Sequence, residues 1–125
     1  MAQGKKVLLI GLDPKLVDYA HLPTHLDEPT LRAGLAADVH KLRDLGYDAE
    51  WLLVDRGETA VAVVTARLQA FTFDAVLIGA GIRTVAPLFS LFERLVNVVH
   101  ETAPRSKICF NTQPEDTAAS VARWV

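Results

Sequence analysis

The chain of 125 residues has the length of one domain and can bury a single hydrophobic core. Half of its residues are hydrophobic and 22% are charged, so the composition is that of a globular protein and excludes a disordered one. The net charge of −2, with scattered basic residues, excludes the electrostatic footprint of a nucleic-acid-binding protein.

The cellular context is predicted by cysteine content and hydropathy. The single cysteine, Cys109, excludes an internal disulfide and favours a reducing compartment. No apolar run reaches the length of a membrane span, and no signal-peptide core is present, so we expect a cytoplasmic protein without a membrane partner. The mean hydropathy of +0.21 is high for a small monomer, so we also expect contact with another subunit.

The first third of the chain predicts a strand, a long connection and a helix. An apolar run from Val7 ends at Gly11, which is typical of a buried parallel strand. The connection from Leu12 to Thr30 contains three prolines, and a loop of this length predicts a functional lid or partial disorder. Apolar residues at helical spacing over residues 31–45 predict the first helix, which Gly46 would end.

The remainder repeats this alternation three times. Strands are predicted at residues 48–54, 75–78 and 107–110, with helices at about 59–70, between Pro87 and His100, and after Thr112. The helix between Pro87 and His100 is apolar nearly all round, which predicts burial on two sides, by the sheet and by a second subunit. We therefore expect a homo-oligomer that forms through this helix.

Alternating strands and helices predict a parallel sheet with helices on both faces. Right-handed crossovers and the adjacency of consecutive elements favour strand order 2-1-3-4. We therefore expect one α/β domain over residues 1–125, three-layered and doubly wound, with a flavodoxin-like or Rossmann-like fold. Ligands of such sheets bind beyond the carboxyl ends of the strands, here between the first and third strands.

The turn after the third strand predicts an anion-binding rim. The backbone amides of Gly81 and Ile82 would lie beside Arg83, whose guanidinium suits a phosphate or carboxylate. The alternative is a surface ion pair of Arg83 with one of three carboxylates, Asp13, Asp55 or Glu93. The spacing Gly79-x-Gly81 starts a dinucleotide-binding fingerprint, but the third glycine and the following acidic residue are missing, so we expect no organic cofactor.

Polar residues follow the other strands. Asp13 follows the first strand and could act as a general base, metal ligand or hydrogen-bond acceptor, or could simply cap a turn. Asp55 follows the second strand, and Asn111 and Thr112 follow the fourth, where all three could contact a ligand. Thr112 also begins a capping box with Glu115, so it could cap the last helix instead.

The spacing His21-x-x-x-His25 would suit a metal on a helix, but Pro23 argues against that helix, so we predict no metal site. The sequence thus predicts a domain that binds a small anionic molecule at the sheet edge. If the domain is an enzyme, we expect hydrolysis or proton transfer with Asp13 as the catalytic residue. The alternative is a non-catalytic oligomerisation or protein-interaction domain.

Overall fold

The computed structural model describes residues 3–22 and 26–125. In this part of the chain, four parallel strands form one sheet in the order β2-β1-β3-β4. The strands are β1 (Lys6–Leu12), β2 (Asp48–Val54), β3 (Ala75–Ile78) and β4 (Lys107–Phe110). The predicted strand order is therefore confirmed.

Helices connect the strands and follow the last one. They are α1 (Glu28–Asp44), α2 (Ala60–Ala70), the short α3 (Ala80–Arg83), α4 (Phe89–Thr102) and α5 (Thr117–Ala122). Short 3-10 turns occupy Pro14–Leu16, Tyr19–His21, Ala86–Leu88 and Pro114–Asp116. Over the described ranges, no helix combines the length and the apolar character needed to cross a membrane.

The helices cover both faces of the sheet and give three layers. Successive residues of a strand point to opposite faces, so β1 contributes to two separate cores. Val7 and Leu9 pack with Leu42 of α1 and Val121 of α5. The alternate residues of β1 pack on the other face with α2 and α4, through side chains such as Leu8, Ile10, Val64, Leu91 and Leu95. The predicted doubly wound α/β fold is confirmed.

The connection after β1 is shorter than predicted because α1 begins at Glu28. The carboxylate of Asp27 accepts a hydrogen bond from the Thr30 amide at 2.8 Å and so caps the helix N-terminus. Gly46 follows the helix end with a φ of 99°, a conformation that glycine adopts without strain. The lid role of the connection stays a prediction.

The interpretation of α4 as apolar nearly all round is wrong. Leu91, Leu95 and Val99 are buried and form one stripe against the sheet and α2. Glu93 and Asn97 lie on the exposed side of the helix. This amphipathic pattern is that of a helix with a single buried face, so burial on two sides does not follow from the sequence of α4.

The ends of β1 and β3 approach each other closely at Gly79. Its amide donates a hydrogen bond to the Ile10 carbonyl oxygen at 2.8 Å. A Cβ atom at Gly79 would lie 3.3 Å from that oxygen and 3.9 Å from the Gly11 Cα atom. The glycine therefore lets the chain leave β3 immediately beside β1.

Two glycine substitutions test this close approach. Gly79→Ala should lower the free energy of unfolding by about 1–3 kcal/mol, because the added methyl group presses on backbone atoms of β1. Gly81→Ala is the matched control: no atom lies within 4 Å of its added Cβ, so stability should be unchanged or rise by about 0.4–1 kcal/mol. Urea unfolding measures both, and equal stabilities of the two variants would contradict the close approach.

Candidate functional site

A cleft of about 80 Å³ lies at the carboxyl ends of β1 and β3, on the face of the sheet that α1 covers. Most of its walls are apolar side chains or glycine backbone. Its lining comprises Leu12, Val17, Leu31, Leu35 and Trp51, the backbone at Gly11, Gly79, Ala80 and Gly81, and two polar residues, Asp38 and Asn111. The cleft thus occupies the switch point of the sheet, where doubly wound folds bind their ligands.

The two polar residues belong to one buried chain of hydrogen bonds. The Ala80 amide donates to Asn111 Oδ1 at 2.8 Å, and Asn111 Nδ2 donates to the Thr117 hydroxyl at 3.0 Å. That hydroxyl donates to Asp38 Oδ2 at 3.2 Å. All three side chains are buried, and the chain of bonds joins α3, the end of β4, α5 and α1. Asn111 also lines the cleft, and its predicted contact with a ligand stays a prediction.

Asp38, on α1, is not among the candidate site residues predicted from the sequence. It is only 6% exposed. The pKa of its carboxyl is raised to about 6, mainly by burial and also by the charges of Glu115 and Asp116. The hydrogen bond from Thr117 and the charge of Lys41 act in the opposite direction. A carboxyl with a pKa close to neutral, in a cleft, is suited to accept or donate a proton.

The signal for Asp38 was nevertheless present in the sequence. It follows Leu35 by three positions and precedes Leu42 by four, so it occupies the same helix face as these apolar residues. A carboxylate on the buried face of a helix needs a hydrogen-bond partner from another element. Here that partner is Thr117, which lies 79 residues away in the chain and could be identified only from the fold.

Arg83 contacts the backbone after β4 and forms none of the alternative ion pairs within the described ranges, and its anion-binding role stays a prediction. Its Nη2 donates to the Asn111 carbonyl oxygen at 2.5 Å, and its buried Nε has no partner among the described residues. Within the described ranges, the ion pairs do not include Arg83. The guanidinium therefore supports the end of β4 and does not line the cleft.

Most amides of the predicted rim already have partners. The amides of Ile82 and Arg83 donate to the Gly79 carbonyl oxygen at 3.0 and 3.2 Å, which closes the short α3 turn. The Ala80 amide donates to Asn111. The Gly81 amide is the one amide of this turn that has no hydrogen-bond acceptor among the described residues. Gly81 also lines the cleft.

Asp13 caps the first 3-10 turn, as the structural alternative predicted. Its Oδ1 accepts from the Lys15 amide at 3.0 Å and from Arg32 Nη2 at 3.2 Å. Asp13 is not among the residues that line the cleft. Its catalytic role stays a prediction, while the cap and the ion pair are shown.

Asp55 likewise bonds to the backbone, at the start of α2. Its carboxylate accepts hydrogen bonds from the amides of Gly57, Thr59 and Ala60 and from the Thr59 hydroxyl. The Thr59 hydroxyl bond, with the backbone amides, lowers the pKa of Asp55 to about 2. The carboxylate thus caps α2, and ligand binding by Asp55 stays a prediction.

The capping partner of Thr112 was predicted wrongly. Its amide and hydroxyl donate to the carboxylate of Asp116, and Glu115 has no part in this contact. A 3-10 turn at Pro114–Asp116 precedes α5, so the reciprocal partner lies one residue later than in a capping box. A ligand contact by Thr112 stays a prediction.

The remaining candidates are the histidine pair and the cysteine. His25 lies outside the described residues, and of His21 only the backbone is described, so the predicted spacing is not tested. Over the described ranges, no three His, Cys, Asp or Glu side chains form a group suited to a metal ion. Burial raises the pKa of the Cys109 thiol to about 11, which keeps it in the unreactive neutral form.

No protein-family model and no curated protein matches this sequence.

The pH dependence of stability tests the buried state of Asp38. Between about pH 4 and pH 6, the folded state keeps a proton on Asp38 that the unfolded chain has lost. The stabilising contribution is therefore present at low pH and is lost as the pH rises through about 6. Between about pH 4 and pH 7.5, the wild type should lose roughly 1–3 kcal/mol of unfolding free energy relative to Asp38→Asn.

Urea unfolding at both pH values gives this difference. Asp44→Asn is the control, because Asp44 lies on the same helix and is exposed. Parallel pH profiles of the wild type and Asp38→Asn would show that Asp38 titrates as a solvent-exposed carboxyl.

Proposed function

We propose that this domain binds a small molecule in the cleft between the carboxyl ends of β1 and β3. The observation that carries the proposal is a concave site with mostly apolar walls whose lining includes two buried polar residues, Asp38 and Asn111. Small-molecule sites generally combine apolar walls with a few fixed polar groups. The hydrogen bonds from Thr117 and Ala80 fix both groups before any ligand arrives.

The predicted anionic ligand remains a proposal, and the group that supports it is the Gly81 amide. The Gly81 amide is available to a phosphate or carboxylate, but Arg83 and the neighbouring amides already bond to the protein. An anion in the cleft would also meet the carboxyl of Asp38. Since like charges repel strongly in an apolar site, an anion would fit best when Asp38 is protonated.

If the domain is an enzyme, we propose proton transfer or hydrolysis as its chemistry. Asp38 supports this role better than Asp13, because Asp38 lines the cleft and its pKa is about 6. Asp13 is held by Arg32 and by its own turn. The cytoplasmic location remains part of the proposal, supported by a lone, buried cysteine.

A fragment screen followed by NMR tests the proposed site. The indole of Trp51 donates to the Leu35 carbonyl oxygen at 2.8 Å and lines the cleft, so its resonance should shift when a fragment binds. The indole of Trp124 is 54% exposed, does not line the cleft and serves as the internal control. Fragments should also shift the amide resonances of Gly11 and Gly79.

A substitution at the cleft wall completes the test. Gly81→Leu adds a side chain to the lining and should weaken the binding of these fragments about tenfold or more, a loss of about 1.4 kcal/mol. Ala33→Leu, at an exposed position of α1, should leave binding unchanged. Fragments that shift only resonances remote from the cleft would contradict the proposed function.

A second candidate function is self-association near the start of α4. Phe89 is 59% exposed and Val85 is 40% exposed, so two apolar side chains meet solvent in this segment. A charged substitution in α4 tests an interface only at an exposed position. Leu91, for example, is buried, so a charge there would disrupt the core. The exposed Phe89 is the informative position for the predicted homo-oligomer.

Phe89→Asp should convert an oligomer into a monomer, because a charge at a buried contact is unfavourable. Light scattering at micromolar concentration measures the mass. Phe71→Asp, at the exposed end of α2, is the control and should keep the wild-type mass. A monomeric wild type would contradict self-association.

A further inference from the structure

We propose that the cleft recognises a compact aliphatic amine whose ammonium group binds the carboxylate of Asp38. This inference rests on the proposed function, because it names the ligand class of the same cleft. Asp38 is the only charged residue among those that line the cleft in the described part of the chain. The charge that the site offers to a ligand is therefore negative.

The carboxylate of Asp38 forms no ion pair with another described residue, and Lys41 acts on it only through its charge. A buried carboxylate without a positive partner is unfavourable, so a cation that enters the cleft relieves an existing penalty. An ammonium group supplies both that positive charge and hydrogen-bond donors.

One carboxylate oxygen remains available for such a donor. Asp38 Oδ2 accepts from the Thr117 hydroxyl, whereas Oδ1 has no hydrogen-bond partner among the described residues. Asn111 holds Thr117 from the other side at 3.0 Å, so the orientation of the carboxyl is fixed. Thr117 and Asn111 are thus positioning residues, and Asp38 is the group that contacts the ligand.

The walls and the volume of the cleft determine the polarity and the size of the remainder of the ligand. Leu31, Leu35 and Trp51 present apolar surface, which favours an aliphatic body over a polar one. The volume of about 80 Å³ has room for roughly five to eight water-sized groups, which limits the ligand to a few non-hydrogen atoms. Isobutylamine, a branched four-carbon amine, matches this description and serves as the probe.

The charged groups around Asp38 define how binding should depend on pH. Lys41 on the same helix favours the ionised carboxyl, while Glu115 and Asp116, in the turn before α5, favour the protonated one. With a pKa of about 6, the carboxyl is mostly ionised at about pH 7.5 and mostly protonated at about pH 5. The amine keeps its charge throughout this range, so a change in affinity that Asp38→Asn removes reports Asp38.

Three probes with the same isobutyl skeleton test the inference: isobutylamine, isobutanol and isobutyrate. Titrations followed at the Trp51 indole give their affinities for the wild-type protein at about pH 7.5. Isobutylamine should bind at least about tenfold more tightly than the other two, and its affinity should fall by about fivefold or more at about pH 5. Asp38→Asn should abolish the preference for the amine and retain the binding of isobutanol.

The outcomes separate this inference from the proposed function. Equal binding of isobutanol and isobutylamine at the Trp51 indole overturns the amine assignment and leaves the cleft as a small-molecule site. Tighter binding of isobutyrate overturns it in favour of an anionic ligand. Binding of none of the three probes also overturns it, and a wider fragment screen that finds no ligand in the cleft rejects the proposed function. The wild-type comparison decides these outcomes even if Asp38→Asn fails to fold.

Discussion

The structure depends on one chain of buried hydrogen bonds that runs from the Ala80 amide through Asn111 and Thr117 to Asp38. These bonds connect two helices to the carboxyl ends of two neighbouring strands: Asp38 lies on α1, Thr117 begins α5, Asn111 follows β4, and Ala80 follows β3. Because buried polar groups without partners are unfavourable, each member of the chain requires the next one. The network therefore fixes the relative positions of the elements that surround the cleft.

The cleft exists because side chains are missing where the central strands end. Gly11 and Gly79 lie at the carboxyl ends of β1 and β3, and Gly81 lies in the turn that follows. A Cβ atom at Gly11 would lie 3.0 Å from the ring of Trp51, so the absence of a side chain at Gly11 leaves room for that ring in the wall of the cleft. Space at this edge and a fixed carboxyl beside it are the two features that a ligand site requires.

The fold could be predicted from the sequence because short apolar runs such as Ala75–Ile78, alternating with helical patterns, are typical of strands buried on both faces of a parallel sheet. The site could be predicted only as a location. Asp13, Asp55 and Arg83 were chosen because they follow strands. Asp13 and Asp55, however, accept hydrogen bonds from nearby backbone amides, and Arg83 donates to the Asn111 carbonyl oxygen after β4. Asp38 was missed, since its importance depends on a contact with Thr117 that only the packing of α5 against α1 creates.

The most direct test of this account is the titration of the Asp38 side-chain carboxyl carbon by NMR. In the free protein, the resonance should titrate with a midpoint near 6, because burial in the cleft disfavours the ionised form. In Thr117→Val the midpoint should rise further, since the hydrogen bond that stabilises the carboxylate is lost. A midpoint near 4 in the wild type, unchanged in the variant, would contradict the account.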